Sequence, residues 1–186
     1  MKNVFRTDES GVTAIEFALL LPVLVTIIMG SIELSMYLFV QSALEGATFS
    51  VSRLGKTGYV ESGMTREETI RAAMADRLGI FFDPDRLSII SESYDDFSSV
   101  GEPEPFIDAN GNGVRDNGEN YTDINGNGQY DMDRGVTGPG TAGQVTVYTI
   151  SYPWNLMTPY LTDSLGQDGV AEISSRFVVK NEPFGG

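Results

Sequence analysis

The residues best placed to do chemistry lie in one acidic stretch. In Asp108-Ala-Asn-Gly-Asn-Gly-Val-Arg-Asp-Asn-Gly-Glu119, oxygen-bearing side chains occupy the first, third and fifth positions (Asp108, Asn110, Asn112), with Asp116 ninth and Glu119 twelfth. This is the spacing of a loop that wraps a hard divalent cation. Calcium takes about six to eight oxygens in a flexible shell, and alternate residues of a tight loop all point inward. Gly113 permits the sharp turn, Val114 offers its carbonyl, and Glu119 can close the shell with both oxygens. Magnesium suits the loop less, because it demands a stricter octahedral shell. Fifteen residues on, Asp123-Ile-Asn-Gly-Asn-Gly-Gln-Tyr-Asp-Met-Asp133 repeats the pattern through Asp123, Asn125, Asn127, Gly128 and Asp131, with Gln129 in the place of Val114. Its twelfth position is Arg134. A second ion there requires Asp133, or a residue from elsewhere, to complete the shell. The alternative is a solvated turn cluster, since Asn, Asp and Gly are turn formers in any case.

No long helical pattern frames these loops, so a true EF-hand pair is not expected. They resemble instead the helix-poor calcium loops of dockerins and thrombospondin repeats. Between Glu92 and Arg134, eleven acids face two arginines, which places −9 of the chain's net −14 in that stretch. Such a block argues against nucleic-acid binding, which needs a basic surface. The 186 residues include no cysteine and no histidine. Disulfides are therefore excluded, as is serine–histidine or cysteine–histidine catalysis.

The other chemical feature is at the amino terminus. A short charged opening, Met1 to Gly11, precedes a run from Val12 to Ile32 whose one charge is Glu16. About 20 apolar residues cross a bilayer core. A secretory signal carries its small-residue cleavage site after the apolar stretch, whereas here Gly11 comes before it. A carboxylate at membrane depth is costly unless paired, which marks Glu16 as functional; the alternative is that it snorkels at the interface. Pro22 removes an amide donor and is expected to kink the helix.

Gly11-Val-Thr-Ala-Ile-Glu16-Phe17, followed by Leu-Leu-Pro22, resembles the processing site of type IV prepilins, and most of all the TadE-like pilin-like (pseudopilin) family of tight-adherence (Flp-type) pilus systems. The likeness covers about residues 8 to 55. It implies cleavage by a membrane prepilin peptidase between Gly11 and Val12, leaving 175 residues with Glu16 as the fifth. In such families that glutamate pairs with a neighbouring subunit's new amino terminus, and Phe17 completes the motif. The resemblance also implies a single-pass protein of the bacterial inner membrane, with a cytoplasmic leader and a periplasmic or extracellular body. Lys2 and Arg6 give only a weak positive-inside signal of their own.

These features need a scaffold. Tyr37, Val40, Leu44, Ala47, Val51 and Leu54 recur at steps of three and four, with Gln41, Ser42, Glu45, Thr48, Ser52 and Arg53 between them. One helix is therefore expected from Val12 to about Leu54, apolar in its first half and amphipathic in its second, with Gly55 as its stop. Thr65-Arg-Glu-Glu68 reads as a capping box opening a helix with a stripe of Ile70, Ala73, Met74 and Leu78, closed by Gly79. Strands are expected at Leu87–Tyr94, Gln144–Tyr152 and Val170–Lys180 from their β-branched and aromatic content. Trp154 reads as a core or interface anchor. The fold class is α+β: a leader (1–11), a transmembrane and amphipathic helix (12–55), and a small extracytoplasmic domain (56–186). In that domain an antiparallel sheet packs on the helix, and a long calcium-type loop (97–143) carries almost no regular signal.

Three functions compete. One is a minor pilin-like structural subunit, partnered by the membrane, other pilin-like subunits, the assembly machinery and the prepilin peptidase, with no nucleic acid. A second is a type II secretion pseudopilin, some of which resemble this chain in carrying calcium. The third is a membrane-anchored enzyme using paired carboxylates; no constellation beyond the loop acids supports it, and the chain is expected not to be an enzyme.

Overall fold

The long amino-terminal helix owes its existence to an apolar run without glycine clusters until Gly55, and a computed structural model places it as α1, Ser10–Thr57. The structure describes residues 10–79, 82–158 and 166–182, so the leader expected at 1–11 lies largely outside the described residues. After α1 come α2 (Arg66–Leu78), β1 (Ser88–Tyr94), β2 (Val136–Thr137), β3 (Val145–Asn155) and β4 (Val170–Lys180). The chain divides into two compact units: Met1–Val40 with Trp154–Glu172, and Gln41–Pro153 with Ile173–Gly186.

In the first unit, every described side chain of α1 from Gly11 to Met29 is exposed, nearly all of them apolar. The helix runs unbroken through Pro22. Hydroxyls in this stretch bond back to backbone carbonyls one turn earlier, Thr26 to Pro22 at 2.8 Å and Ser31 to Ile27 at 2.7 Å. These hydroxyls are thus satisfied without water, as a lipid-facing helix requires. The first buried residue is Glu33, which is 1% exposed.

In the second unit, the four strands form one antiparallel sheet in the order β2-β1-β3-β4. β1 pairs with β3 from Ser88 opposite Ser151 to Tyr94 opposite Val145. Pro153 lies beyond the last of these pairs, so its missing amide breaks no bond to β1. β3 is buried at nearly every position from Val145 to Tyr152. The alternation of a half-exposed strand is lost because both its faces are covered.

On α1, Leu44, Ala47, Val51 and Gly55 are buried. Here the expectation needs two corrections. Gly55 does not stop the helix, which continues to Thr57; Gly58, at φ 63°, adopts the left-handed conformation that ends it. Gly55 is instead a point of close approach. A Cβ there would stand 3.0 Å from Phe177 Cε2 and 3.2 Å from Tyr148 Cε2, and these two rings are stacked with centroids 4.8 Å apart. Thr48, assigned to the polar face, is buried, whereas Leu54 is only half-buried.

α2 forms as its capping box dictates. Thr65 Oγ1 accepts from Glu68 N at 3.2 Å and Glu68 Oε2 accepts from Thr65 N at 2.6 Å. Its buried residues are Thr69, Ile70, Met74 and Leu78, and Gly79 caps it at φ 67°. The segment expected to lack regular structure contains β2, which pairs with β1 through Glu92–Thr137 and Ser93–Val136. Two residues carry too little pattern to be read as a strand; the pairing partner makes them one.

Candidate functional site

In the second unit, the tandem loops are built from side-chain caps on backbone amides. Asp108 Oδ1 accepts from Gly111 N (2.7 Å) and Asn112 N (3.1 Å), and its Oδ2 accepts from Gly113 N (2.8 Å). Asn110 and Asn112 take the amides of Asn112 (3.0 Å) and Val114 (2.8 Å) on their Oδ1 atoms. Gly111 and Gly113 both sit at positive φ, 74° and 77°, which lets these amides converge on one carboxylate. The same bonds hold the Asp108 carboxyl below the usual carboxylate range, Gly113 N–H contributing most.

Two amide groups meet at the ninth position. Asn110 Nδ2 and Asn112 Nδ2 both donate to Asp116 Oδ2, at 2.6 and 2.8 Å. Glu119 reaches back across the loop: its Oε1 accepts from Ala109 N at 2.8 Å and its Oε2 from Asp116 N at 2.9 Å. The second loop repeats this bond by bond. Asp123 takes Gly126 N (2.7 Å), Asn127 N (3.2 Å) and Gly128 N (2.8 Å). Asn125 Nδ2 and Asn127 Nδ2 donate to Asp131 Oδ2 at 2.7 and 2.6 Å, and Gln129 N donates to Asn127 Oδ1 at 2.7 Å. Asp133, weighed as the closing residue, accepts from Gly135 N at 3.0 Å.

An extended connector, Glu102 to Ile107, runs between the loops. On one side Glu104 N donates to Asp131 O and Arg134 N to Glu102 O, both at 3.0 Å; on the other Ile107 N donates to Asn120 O and Thr122 N to Pro105 O, both at 2.8 Å. Pro103 and Pro105 favour that extended backbone. Arg115 lies 4.7 Å from the Tyr121 ring and 4.8 Å from the Tyr130 ring, and Phe106 meets Tyr130 edge-on at 5.9 Å. The first loop lends Arg115 to this cluster and the second lends Tyr130, so a cation–π contact joins them.

The donor set is all oxygen, which suits calcium. Among the described residues no three carboxylates converge closely enough to hold an ion by themselves. The Asn amide hydrogens occupy the space beside Asp116 and Asp131, supplying positive charge where carboxylates face inward. Sequence reasoning missed Glu104, which is fully buried and accepts from loop amides on both oxygens: from Ile124 N on Oε1 at 2.7 Å and from Asp131 N on Oε2 at 3.2 Å. The one sequence signal was an acid held between two prolines.

In the first unit, Gly11, Val12, Glu16 and Phe17 are all exposed on α1. The Gly11–Val12 bond lies at the start of the described part of α1. Glu33, which sequence reasoning passed over, accepts from Met157 N at 3.0 Å on Oε1 and 2.8 Å on Oε2, and from Thr158 N at 2.6 Å on Oε2. It ties the segment after β3 to the helix.

Among the described residues one helix is long and apolar enough to cross a membrane, the mark of a single-pass membrane anchor. Within that class, residues 11–53 match the TadE-like protein family, associated with tight-adherence pili. The match covers the segment on which the Gly11–Phe17 motif stands and leaves the body after residue 53 unmatched. No curated protein and no solved structure matches the chain.

Proposed function

We propose that the chain is a minor pilin-like structural subunit that assembles into a tight-adherence, type IV-like pilus after a prepilin peptidase cuts between Gly11 and Val12. The observation that carries this reading is the TadE-like match over residues 11–53, lying on a helix whose apolar side chains are exposed. Cleavage would leave an ammonium on Val12 about one helical turn from the Glu16 carboxylate. Both groups are exposed on one chain, so each is available to a neighbouring subunit, and pairing them there offsets the cost of a charge at membrane depth. The leader would then lie in the cytoplasm, the helix in the bacterial inner membrane and the body outside it. The role is structural rather than catalytic.

The body adds calcium to this reading. Asp108, Asn110, Asn112, the Val114 carbonyl, Asp116 and Glu119 would hold one ion in the first loop. Asn110 Oδ1 and Asn112 Oδ1 each keep a lone pair beyond the backbone amide they accept, and the ion would supply the positive charge that the Nδ2 hydrogens now supply beside Asp116. Calcium would order a segment with little apolar core and offset the repulsion among its acids.

Intact-mass measurement on the membrane-extracted protein tests the processing. The expected mass begins at Val12; a chain beginning at Met1 removes the prepilin reading.

A further inference from the structure

We infer that Glu104 is the closing ligand of the second loop, so that the chain holds two calcium ions where its sequence template completes only one site. This rests on the calcium reading of the loops given above.

The argument starts from what Glu119 does in the first loop. A closing glutamate must present both oxygens to the centre from the far side of the loop. Glu119 is fixed there by two amides, that of the second loop residue on Oε1 (Ala109, 2.8 Å) and that of the ninth on Oε2 (Asp116, 2.9 Å). In the second loop the second and ninth residues are Ile124 and Asp131. Their amides donate to Glu104, again one to each oxygen and in the same order, Ile124 to Oε1 at 2.7 Å and Asp131 to Oε2 at 3.2 Å. Glu104 therefore stands in the second loop where Glu119 stands in the first, although it precedes Asp123 in the chain instead of following it.

Burial supplies an independent reason. Glu104 is 0% exposed. A carboxylate taken wholly out of water costs several kcal/mol unless it is paired with positive charge. The two amides use two of its roughly four lone-pair sites. Among the described residues the ion pair present, Lys56 with Glu182 at 3.3 Å, lies elsewhere. The loop whose amides it accepts is itself acidic, carrying Asp123 and Asp131. A fully buried acid among acids, with lone pairs left over, calls for a cation of small radius. The twelfth position is meanwhile released from ligation: Arg134 turns its Nε to the Ser99 carbonyl at 3.4 Å. The ligand set is then Asp123, Asn125, Asn127, the Gln129 carbonyl, Asp131 and Glu104, an oxygen shell of the same chemistry as the first.

Isothermal titration of the full chain in detergent micelles, stripped of metal and titrated with calcium chloride, tests this. Wild type is expected to bind two ions, Glu104→Gln one, Glu119→Gln one, and the double variant none. Glu104 is buried, so its variant could fail to fold; wild type and Glu119→Gln leave it untouched and carry the test alone. A wild type that binds a single ion, lost in Glu119→Gln, overturns the role of Glu104 while leaving the first calcium site standing. Two ions retained in a folded Glu104→Gln chain overturn it as well. A wild type that binds no calcium removes the calcium reading itself.

Discussion

Gly55 and Gly46 lie nine residues apart on the same helix, and replacing each by alanine separates two accounts of how that helix meets the sheet. In an exposed helix interior, glycine costs about 1 kcal/mol relative to alanine, because the folded chain gives up more backbone freedom. A Cβ on Gly46 meets nothing within 4 Å, so Gly46→Ala should gain that amount, about 1 kcal/mol. At Gly55 the same gain is opposed. The added methyl would stand 3.0 Å from Phe177 Cε2 and 3.2 Å from Tyr148 Cε2, tighter than carbon contacts at their optimum of about 3.5–4.0 Å. Neither ring can retreat alone, because the two are stacked at 4.8 Å with an interplanar angle of 13° and Tyr148 is fully buried.

Overpacking of this kind costs about 1–3 kcal/mol. The net change at Gly55 is then between neutral and about 2 kcal/mol destabilising, and the two alanine variants should differ by about 1–3 kcal/mol. For a chain of this size about 1 kcal/mol moves the melting temperature by about 2–4 °C. Thermal unfolding of both variants in the same detergent, followed by near-ultraviolet circular dichroism for the aromatic stack, reads the difference directly. Gly46→Ala should melt higher than wild type and Gly55→Ala no higher, with a weakened aromatic signal. Equal stabilisation by both would mean that Gly55 does not face the rings and that the packing of α1 on β3 and β4 is misread.

Millimolar calcium should raise the melting temperature of the full chain; an ion present at a hundred times its Kd adds about 2.7 kcal/mol per site, and no shift removes the idea. Asp108 gives a pH dependence of known sign. Its folded-state pKa is lowered by the Gly113 amide and its neighbours, so its contribution is full above the unfolded value of about 3.9 and is lost as pH falls through the folded value. In metal-free buffer, Asp108→Asn should therefore flatten the loss of stability below about pH 4; an unchanged acid limb would refute this. Glu33→Leu should strip the acceptor from Met157 and Thr158, leaving each amide about 1–3 kcal/mol worse off. Hydrogen exchange at those two amides should quicken about tenfold or more and far less in Glu33→Gln; equal rates in all three chains would sink it.

How far the sequence reached depended on whether a feature was local. β4 was legible to its ends, Val170 and Lys180, and α2 to its cap, because β-branched and aromatic content and the Thr65–Glu68 box are set within a few residues. β2 was not, since two residues become a strand only through β1. Gly55 was misread for the same reason: a glycine ending an apolar stripe reads as a stop, and the rings that need its missing Cβ lie some hundred residues away on β3 and β4. The loops themselves were legible in spacing, yet Glu104 was hidden because a template read from first to twelfth position never looks upstream. Arg134 at the closing place was the sign that something else must fill it.

Two of the three carboxylates on α1, Glu16 and Glu33, sharpen what the amino-terminal motif can do. Glu33 has its needs met inside its own chain, by the Met157 and Thr158 amides, and is 1% exposed. Satisfied and hidden, it has nothing to offer a neighbour. Glu16 is exposed on the apolar part of the helix, where an ionised acid near the bilayer centre costs about 2.5–3.5 kcal/mol and less near its surface. If subunits assemble through this helix, the gain from pairing is therefore concentrated at Glu16. Glu16→Gln should leave membrane insertion intact, since it removes a charge from the apolar run, and should abolish crosslinking between helices of processed subunits. Glu33→Gln should leave that crosslinking unchanged. Loss of crosslinking in Glu33→Gln with retention in Glu16→Gln would reverse the assignment.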